Sequence, residues 1–160
     1  MLRCLRQAVE IESPTHCQPA VNRLARFFGR EFQRLGARVR LLPHPTAGSA
    51  VIAEFSQRRA ASAPLNRKPL LVLGHLDTVW DVGTLRRMPF KMSRGRAYGP
   101  GILDMKSGLV CGLWAMAALQ ATGQVPFAPV RFFLNADEET GSGSFSFPNW
   151  SSKTSGKRVC

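Results

Sequence analysis

A chain of 160 residues can hold one domain with one core, and at 44% hydrophobic and 20% charged it has the composition of a globular protein. That excludes a disordered chain. The formal net charge of +12 suggests nucleic-acid binding, but the arginines are spread along the chain and no basic run is interleaved with base-stacking aromatics. No nucleic-acid partner is expected.

The N-terminal stretch MLRCLRQAVEIES has neither the apolar run nor the small-residue cleavage site of a signal peptide. Apolar stretches such as LLVL (70–73) are too short to span a bilayer. A cytoplasmic location without membrane association is therefore expected. Residues 20–35 predict an amphipathic helix, with Val21, Leu24, Phe28, Phe32 and Leu35 on one side, arginines on the other, and Gly36 as its stop. Strands are predicted over 37–42 and 50–55, with a polar surface loop over 57–69. PLLVLG (69–74) reads as a central strand covered on both faces. Residues 86–98, around Gly95, suggest a hairpin. Residues 107–121 are apolar almost all round and predict a buried helix, with Cys111 as a buried thiol. VRFFLN (130–135) predicts another apolar strand. Strands alternating with helices indicate an α/β sandwich. Cys4, Cys17, Cys111 and Cys160 show no C-x-x-C spacing, so neither a thiolate zinc site nor a disulfide framework is expected. Trp80, Trp114 and Trp150 read as packing residues, and His16 and His44 as exposed.

Three motifs concentrate the chemistry: GHLDT (74–78), GPGILDMKSG (99–108) and NADEETG (135–141). They hold five of the ten acidic residues and one of three histidines, which is metal-ligand chemistry in an otherwise basic chain. His75 and Asp77 follow the central strand, where ligands gather in an open α/β sheet. Residues two apart point to one side of an extended chain, so the carboxylate can hold the imidazole; alone, His75 would as readily be structural. Asp104, after Gly99-Pro100-Gly101, can cap the following helix or face a metal. Asp137, Glu138 and Glu139 close an apolar strand, where adjacent carboxylates repel unless a cation neutralises them. In extended chain Glu138 and Glu139 face opposite sides, so one can bind metal and the other act as general base.

In this order, GHLDTV, YGPGILDMKSG and DEETGS resemble one family: the co-catalytic di-zinc exopeptidases and deacylases, among them glutamate carboxypeptidase, acetylornithine deacetylase, succinyl-diaminopimelate desuccinylase and aminoacylase. The resemblance spans about residues 11–141, and the linking text at 80–101 is most similar to the glutamate carboxypeptidase branch. It implies a three-layer α/β sandwich with a mixed, mostly parallel sheet, here an incomplete catalytic domain over residues 1–143. It implies two zinc ions, with cobalt or manganese also suited to such donors. His75 would bind one zinc, Asp77 orient His75, Asp104 bridge both metals with a cis peptide to Met105, Glu138 act as general base, and Glu139 bind the other zinc. The substrate would be a small peptide or N-acyl amino acid cleaved at an amide beside a free carboxylate. The family also has a downstream carboxylate ligand, a late histidine ligand and a lid domain that makes the homodimer; none is found in this sequence. Residues 144–160 are Ser-rich and aperiodic, which predicts a disordered or frame-shifted tail. Weak metal binding and negligible turnover are expected of the chain alone; the alternatives are a non-catalytic remnant and, ranked last because the charge is diffuse, a basic binding module for nucleic acid or acidic partners.

Overall fold

The computed structural model describes residues 1–55, 68–124, 126 and 128–144. The predicted tail from 145 onward, Trp150, Cys160 and most of the loop at 57–69 lie outside these residues.

Helix α1 (Leu2–Glu10) is an addition to the sequence reading. Its buried residues, Cys4, Leu5, Ala8 and Val9, recur one turn apart and form a narrow stripe. Helix α2 (Gln18–Arg34) starts two residues before its apolar periodicity, because Pro19 is tolerated in a first turn. Arg23, Arg26, Arg30 and Arg34 lie on its exposed side, and Gly36, at φ 77°, ends it. Strands β1 (Arg38–Leu42), β2 (Ala50–Phe55), β3 (Leu70–His75) and β6 (Val130–Asn135) form one sheet in the order β1-β2-β6-β3. β4 (Lys91–Ser93) and β5 (Arg96–Tyr98) make the expected hairpin. Arg94 and Gly95 both adopt positive φ at its two-residue turn. Helix α3 (Ser107–Ala121) precedes β6.

The sheet is mixed, as expected, but its parallel share is smaller. β1 pairs antiparallel with β2, and β2 antiparallel with β6; β3 and β6 are the parallel pair. The chain turns directly from β1 back into β2, which imposes an antiparallel ladder. Helices cover one face among the described residues. α2 lies over β1 and β2, α3 against β3, and α1 against α3. Their core joins Val51, Ala53, Phe55, Val130, Phe132 and Leu134. The opposite face holds a small cluster of Ala50, Ile52 and Phe133 beside Leu42.

Three expectations change with this one-sided packing. Leu71 and Leu73 of β3 are 36% and 58% exposed, so the strand is not covered on both faces. α3 buries one side only, through Leu109, Val110, Leu113 and Met116, while Ala115 and Ala118 face out. Cys111 shares that outer side and is exposed. The apolar run Ile102–Ala121 is also long and apolar enough, by length and composition, to cross a membrane, unlike the short stretches noted above. Asp104 and Met105 interrupt it with non-helical backbone angles, and its inner side belongs to the core.

Phe132 is 4% exposed, with its ring 4.8 Å from Phe32 and 6.1 Å from Phe55. In urea unfolding, Phe132→Ala should cost about 3–5 kcal/mol, and Leu73→Ala less than about 1 kcal/mol. Similar losses for both would contradict the one-sided core.

Candidate metal centre

The parallel register sets His75, the last residue of β3, beside Asn135, the last of β6. Beyond β3 the chain stays extended. Leu76 N–H donates to Asn135 O at 2.8 Å, Thr78 N–H to Ser13 O at 2.9 Å, and Thr15 N–H to Thr78 O at 3.2 Å. His75 is 5% exposed. Its Nδ1 lies 3.0 Å from the Asp77 carbonyl oxygen and 3.4 Å from Asp77 Oδ1. That fixes the ring and turns Nε2 outward, towards Asp104 Oδ1 at 2.9 Å and Glu138 Oε2 at 3.9 Å.

Beyond β6, residues Glu138–Thr140 form a short 3₁₀ turn closed by Gly141 at φ 95°. The alternation expected of an extended chain therefore does not separate Glu138 from Glu139; the turn does. Asp77 holds this turn: Glu138 N–H donates to its Oδ1 at 3.2 Å and Glu139 N–H to its Oδ2 at 3.1 Å. Asp137 is buried and faces its own loop, accepting Ser144 N–H at 2.7 Å. Its Oδ1 has no hydrogen-bond partner among the described residues.

Asp104 reaches the site from the loop Ile102–Lys106. It makes no side-chain cap to α3, so the capping alternative falls. Its peptide bond to Met105 is cis. Gly101 adopts φ +68°, and a Cβ there would lie 2.7 Å from Thr78 Cγ2; only glycine lets the loop lie this close to the β3 extension. Lys106 is 2% exposed and donates from Nζ to Ile11 O at 2.8 Å.

His75 Nε2 and single carboxylate oxygens of Asp104 and Glu139 fall within 4.8 Å of one another. One imidazole nitrogen with carboxylate oxygens suits zinc and similar divalent cations. The electrostatics agree. Burial alone would lower the His75 pKa, but the carboxylates of Asp77 and Asp104 outweigh it and raise it to about 9. In the metal-free chain a proton thus sits on Nε2, where a cation would bind. Burial would raise the Asp77 carboxyl, yet hydrogen bonds from His75, Thr15 and the Glu139 and Glu138 amides hold it below the usual range. Burial, with repulsion from Asp104, Asp77 and Glu138, raises Glu139 despite the attraction of His75. Such mutual repulsion is what a cation relieves.

All five predicted site residues converge here. His75, Asp104 and Glu139 form the donor cluster, Asp77 lies behind it, and Glu138 is beside it, half exposed. His16 is exposed near Asp81, and half-buried His44 accepts the Ala47 amide, both on other segments. Trp80 is 39% exposed and Trp114 packs at the core edge. Sequence reasoning missed Ser13, Thr15, Glu12 and Lys106. The buried lysine two residues after Asp104 was the available signal; the hydroxyls gave none.

The family model described as Peptidase family M20/M25/M40 matches residues 71–153, just over half of the chain. The chain belongs to this peptidase family. It is 28% identical over 144 residues to carboxypeptidase G2 of Pseudomonas sp. (strain RS-16), covering 89% of this chain and 33% of that protein. It is 33% identical over 97 residues to succinyl-diaminopimelate desuccinylase of Rhodopseudomonas palustris (strain BisA53), covering 58% and 24%. Human carnosine dipeptidase 1 shares the fold at a TM-score of 0.73 and 21% identity, covering 89% of this chain and 33% of that one. The chain spans a third or less of the length of the curated relatives it matches. The resemblance drawn from the motifs is thus shown, as is the α/β class with a mixed sheet.

Two buried groups make the metal-free chain's stability depend on pH in opposite senses. The His75 pKa is raised from 6.5 to about 9, so its contribution is full below 6.5 and is lost as pH rises through 9. Lys106 is lowered by burial from 10.5 to about 7, although Glu12 opposes this. The folded chain therefore binds fewer protons at Lys106 than the unfolded chain between 7 and 10.5, and stability rises with pH there. In chelator, the parent's Tm should stay nearly flat from pH 7 to 9, whereas that of His75→Ala should rise. Parallel profiles for the two proteins would contradict this assignment.

Proposed function

We propose that this chain forms part of the active site of a zinc-dependent hydrolase that cleaves an amide bond beside a free carboxylate, in a small peptide or N-acyl amino acid. The observation that carries the reading is the convergence of His75 Nε2, Asp104 and Glu139 at the carboxyl ends of two adjacent parallel strands. The relatives' names, carboxypeptidase, desuccinylase and dipeptidase, support the bond and substrate class.

In this reading His75, Asp104 and Glu139 would hold the metal. Zinc bound there would supply Lewis acidity for polarising a carbonyl and activating water. Three donors would not complete two four-coordinate sites; the other positions would fall to water or to groups outside the described residues. Asp77 keeps the Nδ1 proton of His75 in place, so that Nε2 presents its lone pair once its own proton leaves. Glu138, half exposed and 3.9 Å from His75 Nε2, is free to accept a proton from water and pass it to the leaving amine. Cobalt or manganese would suit the same donors.

Zinc titration by calorimetry tests the ligand set. Asp104→Asn and Glu139→Gln should each weaken binding by more than the roughly 10–100-fold typical of an outer partner. A parent chain that binds zinc no better than His75→Ala would refute the reading. Glu138→Gln should leave the zinc midpoint near the parent's. Any turnover of N-acyl-glutamate with zinc should fall about 10²–10⁴-fold in that variant; unchanged turnover would remove Glu138 as the base.

A further inference from the structure

We propose that Thr15 is a positioning residue for the acidic pair Glu138 and Glu139, acting through the Asp77 carboxylate. This rests on the reading that His75, Asp104 and Glu139 bind a divalent cation.

Asp77 is fully buried, so no bulk water can replace a lost partner. Its carboxylate serves four groups. Oδ1 faces His75 Nδ1 at 3.4 Å and accepts the Glu138 amide at 3.2 Å. Oδ2 accepts the Glu139 amide at 3.1 Å and the Thr15 hydroxyl at 2.8 Å. The hydroxyl makes the shortest of these contacts. It is also the one partner outside the two strand ends, 62 residues away in the chain. An aspartate's terminal torsion is soft and roughly two-fold. Without the hydroxyl, Oδ2 would keep the Glu139 amide as its only hydrogen bond, and that amide belongs to the turn the carboxylate must hold. The Thr15 hydroxyl thus supplies an external reference for the carboxylate plane.

That reference is itself rigid. Ser13 Oγ donates to Leu76 O at 2.8 Å, and Pro14 forms a parallel bridge with Thr78. Glu12 accepts the amides of Gly83 and Leu85 at 2.7 and 2.9 Å. Lys106 Nζ donates to Ile11 O at 2.8 Å. Residues 11–15 are therefore tied to the extension of β3, to the loop at 83–85 and to the loop that carries Asp104. Thr15 approaches Asp77 from a fixed backbone.

The test is cobalt(II) titration of the full chain, followed by its visible absorption band, with thermal melts on the same samples. Thr15→Val keeps the shape and removes the hydroxyl. Its cobalt midpoint should rise about tenfold, the low end of the usual outer-partner effect, and its saturated band should shift. Thr15→Ser keeps the hydroxyl and should bind within about twofold of the parent. Ser13→Ala loses a hydrogen bond in the same segment without touching Asp77. It should melt lower yet keep the parent's midpoint and band. A parent-like midpoint and band in Thr15→Val would overturn the proposal. So would a loss in Thr15→Ser or Ser13→Ala as large as in Thr15→Val, since either makes the role merely structural. If Thr15→Val does not fold, Thr15→Ala removes the same hydroxyl: a raised cobalt midpoint there, with parent-like binding in Thr15→Ser, supports the role, and a parent-like midpoint and band in Thr15→Ala overturns it. A parent chain that binds cobalt no better than His75→Ala is a separate failure. It would overturn the metal-site reading and the proposal with it.

Discussion

The site depends on one buried charge. Asp77 is fully removed from solvent, and an isolated carboxylate in that position would be far too costly to keep ionised. Its ionised form is satisfied by the Thr15 hydroxyl, the Glu138 and Glu139 amides and the adjacent His75 ring. These partners come from the N-terminal segment, the end of β3 and the turn after β6. The same carboxylate therefore answers for its own burial and holds three distant pieces of chain in register. His75 acquires its orientation from this arrangement, and Glu139 its place beside Asp104.

The residue that makes the arrangement useful is also the one least comfortable in it. With Asp77 behind and Asp104 in front, His75 holds two protons in the metal-free chain. Glu139 is pushed towards its protonated form by burial and its acidic neighbours. Both shifts describe a site whose charges do not balance from within the protein. Divalent charge at the Nε2 position would displace one proton and relieve the carboxylates together.

Much of this was legible in the sequence. The strands at 50–55 and 130–135 were read with their observed bounds because apolar β-formers stop abruptly at polar or turn residues. His75, Asp77, Glu138 and Glu139 are legible because polar groups directly follow apolar strands there, and Asp104 because it follows the Gly99-Pro100-Gly101 turn. α1 was not legible: its buried stripe relies on cysteine and alanine, which carry little apolar signal. The apolar runs of β3 and α3 were over-read. Such a run records that a surface is compatible with burial, and it cannot say which side is covered; Leu71, Leu73 and Cys111 face outward. Thr15 and Ser13 were invisible because a hydroxyl looks the same in a loop and in a charge network. Only the fold brings them to partners some sixty residues away.

The parallel register of β3 and β6 has a consequence for insertions. Gly74 lies beside Leu134 and His75 beside Asn135, so both strands deliver their donors at one level. A one-residue insertion in β3 would invert its alternation and carry the side chain at the His75 position to the helix-covered face. A connection that bears no donor, such as the exposed hairpin at 91–98, is free of that constraint. Added length would be harmless to the donors in that hairpin and harmful inside the six-residue strand β3.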